Sequence, residues 1–255
     1  MDLKTAISKA LPTPLLQPVK KIYFFLFLKY FSQNQERDFS FLKNIIKQGD
    51  VVIDIGANVG IYTKRLSELV GPTGQVYSIE PVPLTFDILR FNVKKLKLQN
   101  VTLINCAISD SEGVVEVTIP SFPAGVDNFY EARIEEGRDI IAKKSIKTNS
   151  KRLDSIISAG QSKVSFIKCD VEGHEVKVIK GALRTIKNSM PVWLIETFGD
   201  STEINSCAFQ TFKLMRALGY QAFCYDGDKL NKYSQATITA NYFFIKREDR
   251  REATS

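Results

Sequence analysis

The stretch that constrains this chain most is Val51-Val52-Ile53-Asp54-Ile55-Gly56-Ala57-Asn58-Val59-Gly60. An apolar, β-branched run stops at an acid, a tight turn with two glycines and an asparagine follows, and Ile61 to Leu66 begins a helical pattern. Strand, glycine turn and helix in that order build a place for a nucleotide-like ligand. The glycines let backbone approach a ligand, and Asn58 tolerates the left-handed conformation that such a turn needs.

The pattern on both sides of that turn predicts an α/β fold. Strands are read at 51–55, 75–79, 101–107, 164–169, 191–195, 220–225 and 241–246. Helices lie between most of them, with apolar residues at helical spacing: Phe86, Leu89, Val93 and Leu96 after the second strand, and Val176, Ile179, Leu183 and Ile186 after the fourth. Near-continuous apolar strands alternating with helices describe a parallel sheet buried on both faces. The last two strands are joined without a helix, which predicts an antiparallel pair. Val114–Ile119 reads as an extra strand, Ser121–Ser150 as an irregular insertion, and Leu153–Ile157 as a short helix. An insertion of that length in an α/β domain is commonly functional, so 121–150 is the expected substrate side.

Charge is uneven. The formal net charge is +7. Residues 1–37 and 132–152 each carry a surplus of four positive charges, and the remainder is near neutral. Residues 1–38 read as a basic, aromatic helical arm ahead of a domain at 39–255. Residues 1–20 are expected to be loosely ordered. Ile22 to Phe31 is very apolar but only ten residues long and broken by Lys29, whereas a spanning helix needs about 20. Pro12, Pro14 and Pro18 argue against extending it upstream as a regular helix. Two readings stay open for residues 20–31: a helix covering one side of the domain, or a peripheral membrane contact with Lys20, Lys21 and Lys29 at anionic headgroups. No cleavable leader is read, and four scattered cysteines without CxxC spacing fit a reducing compartment and no zinc site. The expected location is the cytoplasm, peripheral to a membrane if the arm binds lipid.

Acids recur at one place in the pattern. Asp54, Glu80, Asp170 and Glu196 each end a predicted strand, and in an open α/β sheet that edge is where ligands bind. A carboxylate after the second strand matches a ribose diol. A dinucleotide turn requires G-x-G-x-x-G; here Asn58 and Ile61 stand where the second and third glycines would be, and there is no GK[ST] loop for ATP. The turn therefore fits a cofactor without a pyrophosphate.

VIDIGANVGIYT, the acid in SIEP, and IKCDVEGHEVKVIKGA together resemble the FkbM family of S-adenosylmethionine-dependent methyltransferases over about Phe39 to Glu196. The resemblance implies a Rossmann-like sheet of seven strands, the last antiparallel, and O-methylation of a small molecule, sugar or glycan. It implies that Asp54, Gly56, Asn58 and Gly60 surround the methionine end of the cofactor and that Glu80 holds the ribose, with Pro81 and Val82 near adenine. Ala107-Ile108 occupies the place where many methyltransferases carry an acid for the adenine amine, so backbone contacts are expected there.

Asp170-Val171-Glu172-Gly173-His174-Glu175 is the densest set of reactive groups. Methyl transfer to oxygen requires removal of a hydroxyl proton, which a histidine or carboxylate can take. Asp170, Glu172 and His174 are the candidate catalytic residues, and His174 is the only histidine in the chain. The same three could hold a divalent metal, though their spacing does not itself define a metal site. Nucleic acid is a less favoured acceptor, because no NPPY-type element follows the fourth strand. A non-catalytic, cofactor-binding adaptor at a membrane is the reading from another class, and the intact glycine turn argues against it.

Overall fold

The computed structural model describes residues 13–31, 36–119, 133–134, 144–157, 163–234 and 240–247. In chain order it begins with helices α1 (Thr13–Tyr30) and α2 (Asp38–Ile45), followed by β1 (Val51–Ile55), α3 (Ile61–Val70), β2 (Gln75–Ile79), α4 (Pro83–Lys95) and β3 (Val101–Ile104). Next come β4 (Ala107–Ile108), β5 (Gly113–Ile119), β6 (Arg133–Ile134), β7 (Lys144–Lys151), α5 (Leu153–Ile156) and β8 (Val164–Cys169). The chain continues through α6 (Glu175–Lys180), α7 (Leu183–Ser189), β9 (Val192–Glu196), α8 (Cys207–Ala217), β10 (Tyr220–Tyr225), β11 (Leu230–Lys232) and β12 (Asn241–Lys246).

The main sheet has the order β11-β10-β12-β9-β8-β1-β2-β3. Strands β3, β2, β1, β8 and β9 run parallel, and β12 is antiparallel to both β9 and β10. From β1 the chain first builds outward through β2 and β3. It then crosses back and builds the other way through β8 and β9. The crevice between the carboxyl ends of β1 and β8 is therefore the topological switch point, where open α/β sheets bind ligands. The sheet is covered on both faces. One face packs Ile53, Ile55, Ile167, Cys169, Trp193 and Ile195 among the later helices. The other packs Val52, Phe166, Leu194 and Phe243 against Phe39, Leu42, Leu66 and Val70 of α2 and α3.

The Rossmann-like class and the antiparallel end of the sheet match the sequence reading, with differences that have local causes. The sheet has eight strands because β11 adds a short edge to β10. The expected third strand splits: Asn105 Nδ2 donates to the Glu80 carbonyl at 2.7 Å, the chain turns away, and β4 joins a second, four-stranded sheet of order β4-β7-β5-β6. Part of the insertion read as irregular is this sheet's strand β7, which pairs with β5 from Lys144↔Ile119 to Ser150↔Gly113. Its alternation is carried by small polar residues, with Thr148 and Ser150 buried and Lys147 and Asn149 exposed, so no apolar signal marks it. Residues 120–132 and 135–143 of the insertion lie outside the described residues.

Helix α1 starts at Thr13 and runs through Pro18. Pro14 falls in the first turn, where no backbone donor is lost. Phe24 and Leu28 anchor the helix: Phe24 packs with Val59 and Ile88, and Lys64 Nζ donates to the Leu28 carbonyl at 2.8 Å. The helix following β8 ends at Gly181, where only glycine fits because a Cβ there would sit 2.1 Å from the Ser109 carbonyl oxygen. Asp154 then caps α7, accepting from the amides of Arg184 and Thr185 at 2.8 and 2.9 Å.

Candidate active site

The switch-point crevice opens into a cleft of about 610 Å³, its mouth included. The glycine turn forms its floor. Gly56 N and Ala57 N donate to the Ile79 carbonyl at 2.9 and 3.0 Å, and Asp170 N donates to the Ile55 carbonyl at 3.0 Å. These bonds draw the ends of β1, β2 and β8 together. Gly56 has φ +78°, and a Cβ on it would stand 1.8 Å from the Asp170 carbonyl oxygen, so only glycine fits. Asn58 adopts φ +52° in the same turn.

Glu80 is set at the end of β2 by two backbone donors: Asn58 N to Oε2 at 3.0 Å and Val82 N to Oε1 at 2.9 Å. Each carboxyl oxygen retains a lone pair for a ligand. Burial pushes the Glu80 carboxyl up to about 7, against the pull of those two amides. Pro81, Cys106, Ala107, Ile108 and Val117 form the apolar wall, and the Thr148 hydroxyl of β7 closes it by donating to the Pro81 carbonyl at 3.1 Å.

Asp170, Glu172 and His174 all line the cleft. Glu172 has φ +52°, a left-handed turn that carries the chain from β8 to α6. His174 is buried, with Nε2 3.0 Å from the Ser109 hydroxyl just beyond Ile108. It is thereby tied to the apolar wall. Two residues expected around the cofactor stand behind the lining instead. Asp54 is buried and accepts from the Thr63 hydroxyl at 2.6 Å, and burial raises its carboxyl to about 6. Gly60, at φ +101°, begins α3, and a Cβ there would meet Leu89 at 2.9 Å. Among the described residues no group of three His, Cys, Asp or Glu side chains gathers as for a metal ion.

The donor set has a definite charge. Glu80, Asp170 and Glu172 line the cleft, and no lysine or arginine does among the described residues. Such a site attracts a cationic ligand and repels a pyrophosphate. An apolar wall, a carboxyl placed for a diol and an acidic floor fit a nucleoside that bears a positive centre.

Beside the cleft lies a cluster that charge reading alone missed. Lys168, on β8 two residues before Asp170, is 1% exposed. Its Nζ lies 3.7 Å from Asp170 Oδ2, 3.5 Å from Glu196 Oε2 and 3.2 Å from Asn241 Oδ1, and 5.0 Å above the Tyr62 ring. Register explains the grouping, because Asp54 pairs with Lys168 across β1 and β8 and Lys168 with Leu194 across β8 and β9. Asp54, Lys168, Asp170 and Glu196 thus share one face of the sheet. Burial pushes the Glu196 carboxyl up to about 7, the neighbouring Asp170 carboxyl adds to this, and Lys168 opposes it. The surrounding carboxylates hold the Lys168 ammonium above its ordinary value despite its burial. Glu36 and Asp38 complete the cluster from the start of α2, and burial raises both.

The sequence model of the Methyltransferase FkbM domain matches residues 54–222. Over 161 residues the chain is 29% identical to the 31-O-demethyl-FK506 methyltransferase FkbM of Streptomyces tacrolimicus, covering 53% of this chain and 60% of that protein. It is 27% identical over 143 residues to the hexuronic acid methyltransferase AglP of Haloferax volcanii, covering 56% and 54%. The matches thus span little more than half the length of these curated relatives. Among solved structures, cofactor-bound Rv0187 from MTB superposes with a TM-score of 0.51 at 13% identity over 91% of this chain and 90% of that one. This is a likeness of fold.

Proposed function

We propose, for a chain that belongs to the FkbM methyltransferase family, that it transfers a methyl group from S-adenosylmethionine to a hydroxyl of a sugar, glycan or other small molecule. The observation that carries this reading is the charge of the cleft: three carboxyl side chains, an apolar wall and no described cation. Names of relatives add support, one referring to a hexuronic acid and one to a 31-O-demethyl compound. When bound, the cofactor supplies a methyl group on a sulfonium.

Each wall of the cleft then has a task. Glu80 accepts from the ribose hydroxyls with the lone pairs that its two amide bonds leave open. Asn58 and Gly56 bring backbone to the methionine end, and Asp170 and Glu172 face its positive charge. Pro81, Ala107 and Ile108 bracket the adenine, with His174 bracing that wall through Ser109. Asp170 belongs both to the cleft and to the Lys168 cluster, so the acceptor hydroxyl enters on the Glu196 side. Glu196 takes its proton as the oxygen attacks, and Lys168 keeps the receiving carboxylate ionised. A base poised near neutrality suits that task.

The test is thermal stabilisation by S-adenosylhomocysteine. The melting temperature is expected to rise with this ligand and to stay fixed with NAD. No rise at millimolar S-adenosylhomocysteine removes the central claim.

A further inference from the structure

The outer face of α1 is apolar where a surface helix should be polar. Its inner face is spent on the domain, through Phe24 and Leu28. One flank meets α4, with Lys21 paired to Asp87 and Phe25 edge-on to Phe91. Opposite the buried face stand Ile22, Leu26 and Tyr30, one helical turn apart, at 55, 45 and 74% exposure. Leu84, at the start of α4, adds a further exposed apolar side chain.

The charge around this ridge is predominantly positive. Helices α1 and α4 carry Lys20, Lys21, Lys29, Arg90, Lys94 and Lys95, and Asp87 is their one acid. Among the described residues no helix is long and apolar enough to cross a membrane. A helix that is apolar on its outer face, flanked by cations and fixed to a domain by its inner face is built to lie in an anionic lipid surface. A second copy of the chain is a poorer occupant, since docking two such faces sets like charge against like. A nucleic acid would use the cations and leave the ridge without a partner.

We propose that the α1–α4 face docks the protein on an anionic membrane, with Ile22, Leu26 and Tyr30 inserted among the headgroups and Lys29, Lys94 and Lys95 over the lipid phosphates. The placement has a consequence for the reaction. Helix α4 begins two residues beyond Pro81 at the cleft, so docking brings the cleft to the lipid surface, where an acceptor held on a lipid would be met.

The experiment is co-sedimentation of the full chain with vesicles of phosphatidylglycerol and phosphatidylcholine, against vesicles of phosphatidylcholine alone. Binding to the anionic vesicles only, weakening as salt is raised, is expected. The double variant I22E/L26E should weaken binding by at least about tenfold, and K94E/K95E, both exposed, should weaken it without touching the ridge. Unchanged stabilisation by S-adenosylhomocysteine certifies that each variant is folded, and this readout is independent of vesicle binding. Absence of sedimentation with anionic vesicles overturns the proposal. So does binding that neither variant changes, or a wild-type dimer that I22E/L26E converts to monomer in sedimentation velocity.

Discussion

Replacing Lys168 by methionine tests the proposed proton acceptor through a quantity that a merely structural lysine would leave alone. Glu196 lies at about 7 although Lys168 pulls it down. The two charges are 3.5 Å apart, and at an effective dielectric of about 20 that attraction is about 5 kcal/mol before desolvation. The Glu196 side chain keeps 25% of its exposure, and water there screens part of the field. Discounting to about a third leaves roughly one to two pH units. The sign is fixed: the acceptor must be ionised to receive a proton, so methyl transfer rises with pH through the Glu196 titration. At saturating cofactor, which removes the Glu80 titration from view, the wild-type limb is expected near pH 7. In Lys168→Met it should move upward by about one to two units, with cofactor affinity kept. Glu196→Gln should lose the limb and about 10²–10⁴ of the rate. A limb that stays in place in Lys168→Met, or a fully active Glu196→Gln, refutes the assignment.

Two further tests address the cleft itself. Gly56→Ala must accommodate a left-handed residue whose Cβ meets a backbone oxygen at 1.8 Å; a loss of more than about 3 kcal/mol and of cofactor binding is expected. Gly173→Ala, also left-handed but with nothing within 4 Å, should cost only about 1 kcal/mol; equal melting temperatures for the two variants would refute the packing argument. Glu80 binds its proton more tightly folded, at about 7, than unfolded, near 4.5. Native protein therefore holds a proton that the unfolded chain has released between those values, and stability falls as pH rises through that window. The ligand-free wild type should lose on the order of 3 kcal/mol relative to Glu80→Gln between pH 4.5 and 7. Parallel denaturation curves for both proteins across that range would refute it.

What the sequence makes legible is the frame. Continuous apolar strands and the acid at each strand end identify the parallel sheet and its ligand edge, and Glu196 stood in that register with Asp54, Glu80 and Asp170. Direction is what a single chain conceals. Asp54 reads as a ligand group because it ends a strand, yet its side chain shares a face with Val52 and turns under α3 to Thr63. Nothing in the strand pattern singles out Lys168, and its parity with Phe166 and Asp170 on a strand covered from both sides places it underneath. Strand β7 escapes because its buried side chains are hydroxyls. The extent of α1 escapes because Pro14 and Pro18 stand in its first half, while the apolar run that the sequence leaves open as an anchor also carries Phe24 and Leu28, which fix the helix to the domain. The sequence points to 121–150 as the side on which the acceptor is chosen. The described part of that segment closes the Pro81 wall, and the charged cluster beside Asp170 gathers from α2, β8, β9 and β12.

That division of the cleft puts His174 to a decisive test. As the only histidine, in the densest run of reactive groups, it is a natural proton acceptor from sequence. In the fold its Nε2 bonds the Ser109 hydroxyl at 3.0 Å, the residue is 5% exposed, and Ser109 follows directly on Ile108 of the apolar wall. A base must reach the acceptor oxygen within hydrogen-bond distance or through one water, and the Glu196 carboxyl belongs to the Lys168 cluster that Asp170 shares. His174→Gln can still bond Ser109 but cannot act as an imidazole base. It is expected to keep kcat within about threefold, since a general base alone is worth at least about a hundredfold, and to keep the pH limb near 7. His174→Ala, which loses the Ser109 bond, should instead raise the KM for the cofactor. A glutamine variant that loses both rate and limb would return the proton to His174 and leave Lys168 and Glu196 as a structural pair.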